Sequence, residues 1–594
     1  MRFKSFLFLC LFGSFLSSQE IIIPDEETYY ASELVEFLQK LEEEPLNVNT
    51  AKPESLYKLP WLERQEIKKI LILREKEKIT SWQQLQNIGI DEYELQQLKP
   101  YLTFQTKFVF RFRNQLRLEM QESDLQNPSS LKYYQKFQVA SSDFRFGFLT
   151  QKDPGEKDIF DFYSYYLEFF NDNLHAVIGK YRLTWGLGLA FASKLGFSKT
   201  SQTSYTKFYN SSYIDPYTSS YEIWDLQGVA TEYRLDKVKI TSFASYSQLS
   251  ANLSDDKITS FNSSGIHLNS QSKNNVDEKL AGMALDYNLE NTIFGLLAVY
   301  DKFGKKFYDE TLNSEYSLLS GYMLNEKLGF PIFVEVANAN GKLAAVGGIR
   351  FGSSHFKHLF IARYYPKNFP TWHGKPFAEK SNFDNEQGFY YGLKLYPIQN
   401  LKLNFYFDIW KHAKTNYWEK MPTSGSEQFA MLTYKYGKHI WRFSLKNSNE
   451  EKYKSFAGIS KIRDVNSNNF SLKWRQNVNN WLTCDSYGKL VNEYLPNSHF
   501  HQRSFLFYQQ FRLQKKDVDL TLRLSTHHGE IPVYVYENNV DGIMQNRVCS
   551  GEGINFFTVC SWKFNENIEL QLKFFDYLDR SNKAEFYFQV LTRF

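Results

Sequence analysis

The stretch that decides the fold is FVFRFRNQLRLEMQ, residues 108–121. Phe108, Phe110, Phe112, Leu116, Leu118 and Met120 share one parity, and Arg111, Arg113, Gln115, Arg117, Glu119 and Gln121 share the other. Successive side chains of an extended chain point to opposite faces, so this segment presents one apolar and one charged face. The same alternation returns at Leu401, Leu403, Phe405, Phe407 and Ile409 against Lys402, Asn404 and Asp408. It recurs at Val518, Leu520, Leu522 and Leu524 against Asp519, Thr521 and Arg523. The last segment sets Phe586, Phe588, Val590 and Phe594 against Glu585, Gln589 and Arg593, a pattern that lets it pair with the first strand and close the sheet.

Half-buried strands of a soluble sandwich alternate too. Here the strands are long enough to cross a bilayer at a tilt, and Phe and Tyr crowd them as interfacial girdles do. The expected fold class is mainly β: a large antiparallel transmembrane β-barrel over residues 105–594, with roughly 18–26 strands and an even number of them. Arg111, Arg113 and Arg117 then line the lumen. Polar stretches at Ser250 to Lys279, Pro366 to Glu386 and His527 to Gly551 are expected as extracellular loops. Lys199 to Tyr221 is either another loop or a segment folded into the lumen.

Composition agrees. Aromatics reach 18%, with 53 Phe and 40 Tyr in 594 residues, yet the mean hydropathy of -0.48 is that of a polar chain. A barrel needs apolar residues only at every second position, so averaged hydropathy stays low while the apolar face is large. Met1 to Lys4 is a positive n-region and Ser5 to Leu16 a short apolar run. Residues 1–19 are therefore expected to be a cleaved signal peptide, which places the mature chain in the envelope. The formal charge of +4 points to no nucleic-acid or membrane-surface partner. Beyond the leader stand Cys484, Cys549 and Cys560; the last two are a candidate pair, with separate small side chains as the alternative.

Between the leader and the first strand the period is helical. Leu34, Phe37, Leu38 and Leu41 recur at i, i+3, i+4, i+7, and Ser81 with Gln84 and Asp91 with Glu94 have capping-box spacing. Residues 28–104 are expected to form a small all-α domain in the periplasm. Leu46-Asn47-Val48-Asn49-Thr50-Ala51, Leu59-Pro60, Ile67, Ile70, Leu85, Ile88-Gly89-Ile90, Leu95, Leu98 and Lys99-Pro100-Tyr101-Leu102 resemble the helix-hairpin-helix domain of ComEA-type competence proteins. That resemblance implies DNA binding. It departs at the first hairpin, where Pro60-Trp61-Leu62-Glu63 replaces the Gly-containing turn, and at Asp91, which stands at the second glycine. From Asp25 to Lys99 there are sixteen acidic and ten basic side chains, a poor match for phosphate. Trp61, Lys68, Lys69, Gly89 and Ile90 are the candidate DNA or partner contacts. Gly179-Lys180-Tyr181-Arg182 and Trp185-Gly186-Leu187-Gly188-Leu189, ending near Gly196-Phe197-Ser198, resemble a segment of functionally obscure outer-membrane barrels carrying the same hairpin domain. The two glycines mark a constriction, an inward contact or a simple bend.

No nucleophile elbow, zinc helix or phosphate loop occurs, so no catalytic, cofactor-binding or metal-ligating set is legible and no enzyme is expected. His527 and His528 are adjacent and on a strand face opposite ways. Glu20-Ile21-Ile22-Ile23-Pro24 resembles the energising segment of TonB-dependent importers, but a helical module of this size is unlike the larger plug of that family. The sequence therefore predicts an outer-membrane channel or transport protein. Its partners are outer-membrane lipid and the barrel-assembly machinery, the latter because the chain ends on Phe594. The alternatives are a competence-like DNA-uptake component and a non-transporting anchor for a periplasmic protein.

Overall fold

The computed structural model describes residues 38, 41 and 45–594, except 52, 57–58, 60, 63, 91, 105–110, 123–129, 142, 157, 159, 172, 193–198, 205–212, 220–224, 263–271, 290, 326–329, 354, 381–382, 399, 416–421, 457–458, 497–499, 544 and 580–583. The leader, Glu20–Pro24, Phe108, Phe110, Pro60, Glu63, Asp91 and Gly196–Ser198 lie outside them.

From Arg111 onward the alternating segments pair with their sequence neighbours, each antiparallel, into a closed barrel of 24 strands. A short extra strand, Tyr213–Pro216, shares one edge of Leu174–Thr184 with Leu226–Leu235. Closure follows the expected route: Arg111–Gln121 pairs with Glu585–Arg593, with Leu116 opposite Val590. Phe112 and Phe594 exchange backbone hydrogen bonds of 2.8 and 2.9 Å. Every backbone group inside the hydrocarbon region must be satisfied within the protein, and closure does so without leaving an edge.

The two rims differ. At one, strands join by tight turns, as at Leu235–Val238, Ile398–Leu401, Tyr436–His439 and Lys515–Val518. At the other they join by long connections. Outward positions carry large exposed apolar residues, among them Met283, Leu296, Leu319, Phe443, Phe507 and Leu572. Near the turn rim they become Tyr233, Tyr287, Tyr436, Trp441, Trp481 and Trp562, an aromatic belt of the kind that sits at headgroup depth. An aromatic belt, an apolar band and full closure together make this a membrane barrel of the outer-membrane type.

Ahead of the barrel, four helices surround a separate apolar cluster: α1 (Pro53–Leu56), α2 (Arg64–Lys76), α3 (Trp82–Asn87) and α4 (Glu92–Leu98). Leu38, Leu56, Ile67, Ile70, Leu85 and Leu98 are fully buried there; Leu34 and Phe37 of the expected helical face lie outside the described residues. Gln84 reaches back to the backbone N–H of Ser81 at 3.2 Å, as its capping spacing predicts. A parallel pair, Leu46–Asn47 with Leu102–Thr103, joins the two ends of the module.

Two expectations change and one holds. Ser250 to Lys279 is not all loop: it holds a hairpin, Ala251–Ser254 with Lys257–Phe261, and the start of the barrel strand Val276–Leu289. His527 and His528 end the strand Val518–Gly529 and do face opposite ways, His527 buried and His528 exposed. Cys549 lies inside the barrel, whereas Cys560 has the outward parity of Ile554 and Trp562, so the wall separates the candidate pair.

Candidate functional site

The site is the lumen, and the chain fills much of it with its own connections. The stretch Trp185-Gly186-Leu187-Gly188-Leu189 leaves the strand Leu174–Thr184 and turns inward. Gly186 and Gly188 adopt φ of +50° and +89°, a region that L side chains avoid. Left-handed residues in alternation point successive N–H groups to one side, forming a concavity for an anion. The anion here is the carboxylate of Glu335, fully buried on the strand Ile332–Ala339. It accepts the N–H of Leu187 at 2.5 Å and of Leu189 at 3.3 Å, and the Ser320 hydroxyl at 2.8 Å. Side chains on either glycine would intrude: a Cβ at Gly186 would stand 2.8 Å from Glu335 Oε2, and one at Gly188 would stand 3.0 Å from the carbonyl of Lys375. Of the readings open for these glycines, the inward contact is the one realised.

The connection expected outside, Pro366 to Glu386, also folds inward and pairs with that stretch. Lys375 donates its N–H to Gly188 at 2.8 Å, and Ala192 donates to His373 at 2.9 Å. Trp185, Leu189, Phe191, Phe369, Phe377 and Phe383 pack on inward Leu297, Phe333 and Ile361 of the wall. The interior is therefore not uniformly polar; around the strands from Leu226 to Tyr365, where a plug segment covers it, its lining mixes apolar side chains with buried polar ones such as Glu335 and Arg363.

Next to this block lies a buried charge network. Arg363 donates to Asp408 at 2.8 and 3.1 Å and to Glu386 at 2.5 Å. Glu386 in turn accepts the backbone N–H of Glu379, at 3.0 and 3.1 Å. Lys199 contacts Glu379, Asp408 at 3.3 Å and Glu427 at 3.0 Å, with its ammonium over the Trp410 ring. Burial pulls the Lys199 pKa down, but the three carboxylates more than reverse this and hold it above its ordinary value. Burial pushes the Glu379 carboxyl up against the pull of Lys199, and Glu427 adds to the rise. Thr203 accepts the Tyr390 hydroxyl at 2.8 Å, so the described part of Lys199 to Tyr221 near the network folds into the lumen.

A second inward element is a hairpin, Val533–Glu537 with Gln545–Cys549, within the stretch expected outside. Arg547 binds Glu537 at 2.9 Å and Glu585 of the wall at 2.7 Å, and its guanidinium lies 3.5 Å from the centre of the Phe575 ring. Lys573 adds a second cation to Glu537. Burial alone would raise Glu537, but Lys573 and Arg547 hold it below the usual carboxylate range. Gln115 and Gln589 both donate to the carbonyl of Asp541 at the hairpin tip, at 3.0 and 3.1 Å.

Arg117 lies on this inner face, 4% exposed and stacked over the Tyr134 ring at 4.2 Å. Arg113 shares its parity and is half-buried; Arg111, at the turn rim, is exposed. Arg117 therefore abuts the hairpin tip instead of a free channel. The wall left uncovered is elsewhere. On His439–Phe456 and Ile459–Asn479 the inward Arg442, Ser444, Lys446, Ser471, Lys473 and Arg475 are partly exposed, 14% at the Arg475 side chain and 30% at that of Lys446, whereas inward residues beside the plug are buried. This strip is polar and reaches solvent.

No family model matches the chain, and no curated protein matches it in sequence. Among solved structures it is similar to other large barrels. The siderophore receptor PirA from Pseudomonas aeruginosa aligns at 7% identity and a TM-score of 0.43, covering 83% of this chain and 82% of that one. The ferric-catecholate import receptor Fiu from K12 E. coli aligns at 8% and 0.40, covering 83% of each chain. OccAB2 from Acinetobacter baumannii aligns at 9% and 0.26, covering 82% of this chain and 99% of that one. The fold assignment rests on the strand pairing itself.

In the helical module the candidate contacts divide. Trp61 is 6% exposed and stacked on Tyr101 at 5.4 Å, and Ile90 is 1% exposed, so both belong to the core and not to a contact surface. Gly89, at φ +97°, ends α3: its N–H donates to Gln86 and that of Ile90 to Leu85, the pairing of a Schellman stop. Lys69 donates to the Ile88 carbonyl at 2.7 Å, occupying the approach to that turn. Lys68 instead reaches the barrel, meeting Asn291 of the Leu289–Thr292 turn at 3.2 Å. Glu94 completes the contact with Lys394 at 3.1 Å and with the Tyr396 hydroxyl at 3.4 Å, both on the inward parity near the turn rim. Sequence reasoning missed this docking because the partners are some 300 residues apart.

Proposed function

We propose that the chain is an outer-membrane transport protein held closed by its own inward-folded connections, with the helical module seated at the periplasmic mouth. Barrels of this kind have short periplasmic turns and longer external loops, so the turn rim that receives the module is the periplasmic one. The observation that carries the reading is the division of the lumen. One sector is sealed by segments tied down through buried polar and charged groups, and the neighbouring strip is polar and open to water. Structural anchoring needs no such strip, and a barrel of this size encloses room for a solute once the seal moves. Planar-bilayer recording on the detergent-folded full chain tests it. Low conductance in the wild type with a large rise in Glu335→Ala is expected; no current from either protein would favour the anchor.

We read the module as a helix-hairpin-helix fold that closes and docks, not as a DNA clamp. Supporting this are the buried Trp61 and Ile90, the helix-stop role of Gly89 and the engagement of Lys68 and Lys69 within the chain. Fluorescence anisotropy with duplex and single-stranded DNA at low salt checks it. Micromolar, salt-sensitive binding by the full chain would restore the DNA-uptake reading.

A further inference from the structure

We propose that Glu278, Asp301 and His373 form a site for one divalent transition-metal ion, which latches the inward segment onto the barrel wall. Glu278 and Asp301 stand on neighbouring wall strands, Val276–Leu289 and Thr292–Phe303, and both point into the lumen. His373 belongs to the inward connection. Candidate ligand atoms from the three residues all lie within 4.8 Å of one another. The His373 Nε2 to Glu278 Oε1 separation is 2.9 Å. Two ligands on one ion, each at about 2.1 Å and at right angles, stand about 3 Å apart, so the pair already has the spacing of adjacent ligands.

Satisfaction of the buried groups gives the second, independent argument. Glu278 and Asp301 are both 0% exposed. Among the described residues Glu278 Oε2 has no hydrogen-bond partner, and the Asp301 carboxylate meets only the Tyr316 hydroxyl and the Lys302 backbone N–H, with no cation beside it. Two carboxylates converging in a dry interior, one with an unpartnered oxygen, are costly unless something positive sits between them. Two carboxylates with a neutral imidazole carry a charge of −2, which a dication balances. One imidazole with two carboxylates suits ions such as Zn²⁺ or Mn²⁺ better than an all-oxygen calcium site. The ligands come from two wall strands and the plug, so bound metal ties the segment that pairs with Gly188 to the barrel. No sequence spacing announces the site, because positions 278, 301 and 373 are joined only by closure of the barrel and the inward turn of the connection.

This inference deepens the closed-barrel reading, and its test reads metal separately from conductance. Full-length protein, detergent-folded and stripped with chelator, is titrated with Zn²⁺ and Mn²⁺, and bound metal is counted by elemental analysis after desalting. One equivalent of one of these ions per chain is expected, falling more than tenfold in His373→Ala and in Asp301→Asn. The second variant keeps size and shape should the first fold poorly. Absence of stoichiometric metal in the wild type, or retention of the equivalent in both folded variants, overturns the site. Proteolysis of the 366–385 connection should slow on adding metal to the wild type and not to either variant; equal rates with and without metal would overturn the latch.

Discussion

The carboxylate of Glu335 on the barrel wall accepts the backbone N–H of Leu189 at 3.3 Å, from a stretch whose two glycines turn three successive amides toward it. Gly188 also donates to the Trp185 carbonyl and Glu335 also accepts the Ser320 hydroxyl, so the amides that depend on this carboxylate are those of Leu187 and Leu189. Glu335→Ala leaves those amides bare and should cost about 2–3 kcal/mol. Urea unfolding of the detergent-folded barrel measures the loss; an unchanged midpoint would show that the nest does not hold the plug.

Gly188→Ala probes the same contact from the other side. The left-handed backbone and the 3.0 Å approach to Lys375 both oppose a methyl group, and strain of about 1–3 kcal/mol is expected. Single-channel recording should show more frequent opening than in the wild type, whereas Gly341→Ala, at a left-handed turn position with nothing near its Cβ, should leave the current unchanged.

How much of this was legible follows from the range over which each signal acts. Parity is local, so Arg117, Asp408, Arg523 and Gln589 all fall on the inner face that their alternation predicts. Helix ends are local too, as Gln84 and Gly89 show. Where a connection goes after its strand is not local. Trp185 to Leu189 and Trp372 to Phe383 are apolar enough to have signalled burial within polar surroundings, and the aromatic content of the second was readable as a misfit for an external loop. Their destinations depend on Glu335, Arg363 and Glu386, which only closure of the barrel brings together. Trp61 was misplaced because a large aromatic in a degenerate turn looks like a contact residue until Tyr101, forty positions on, stacks against it.

Arg547 holds the second inward hairpin through both Glu537 and Glu585. Arg547→Ala leaves Glu585 without its cation and Glu537 with Lys573 alone, and breaking such a buried pair costs about 3–5 kcal/mol. Arg547→Lys should recover less than half, because an ammonium cannot reproduce the forked contacts. Equal stability of all three proteins in urea would remove this hairpin from the closure mechanism.

Cys549, in that hairpin, reports its position chemically. Burial pushes its thiol up to about 11, so at neutral pH its reactive thiolate is scarcer by roughly 100-fold than in an ordinary cysteine. A water-soluble maleimide at pH 7.5 should label wild-type Cys549 slowly and label it at least tenfold faster in Arg547→Ala. Prompt labelling of the wild type would place the hairpin outside the lumen.

The Glu379 carboxyl gives the plug a pH dependence of defined sign. Its pKa is raised in the folded chain, so the native state holds the proton more tightly than the unfolded one, and this contribution to stability is lost as pH rises through the folded value. Lys199 is raised as well, but its contribution is complete below about 10.4 and adds no slope at lower pH. The thermal midpoint of the wild type should therefore fall relative to Glu379→Gln between pH 5 and pH 8. Parallel profiles for the two proteins would exclude Glu379 as a source of the slope.

The module's seat on the barrel can be tested by exchanging charges. Glu94 and Lys394 are 6% and 5% exposed, so their 3.1 Å contact is shielded from water and its loss leaves a buried charge alone. Glu94→Lys sets two cations against each other and should release α4 from the rim, raising amide exchange in Glu92–Leu98 at least tenfold. Lys394→Glu does the same with two carboxylates. Combining the two restores opposite charges at one site, so the double variant should regain most of the protection. Protection that stays lost in the double variant would mean that these positions matter for folding of the module alone, and recovery would establish that the helices are held by this contact with the barrel.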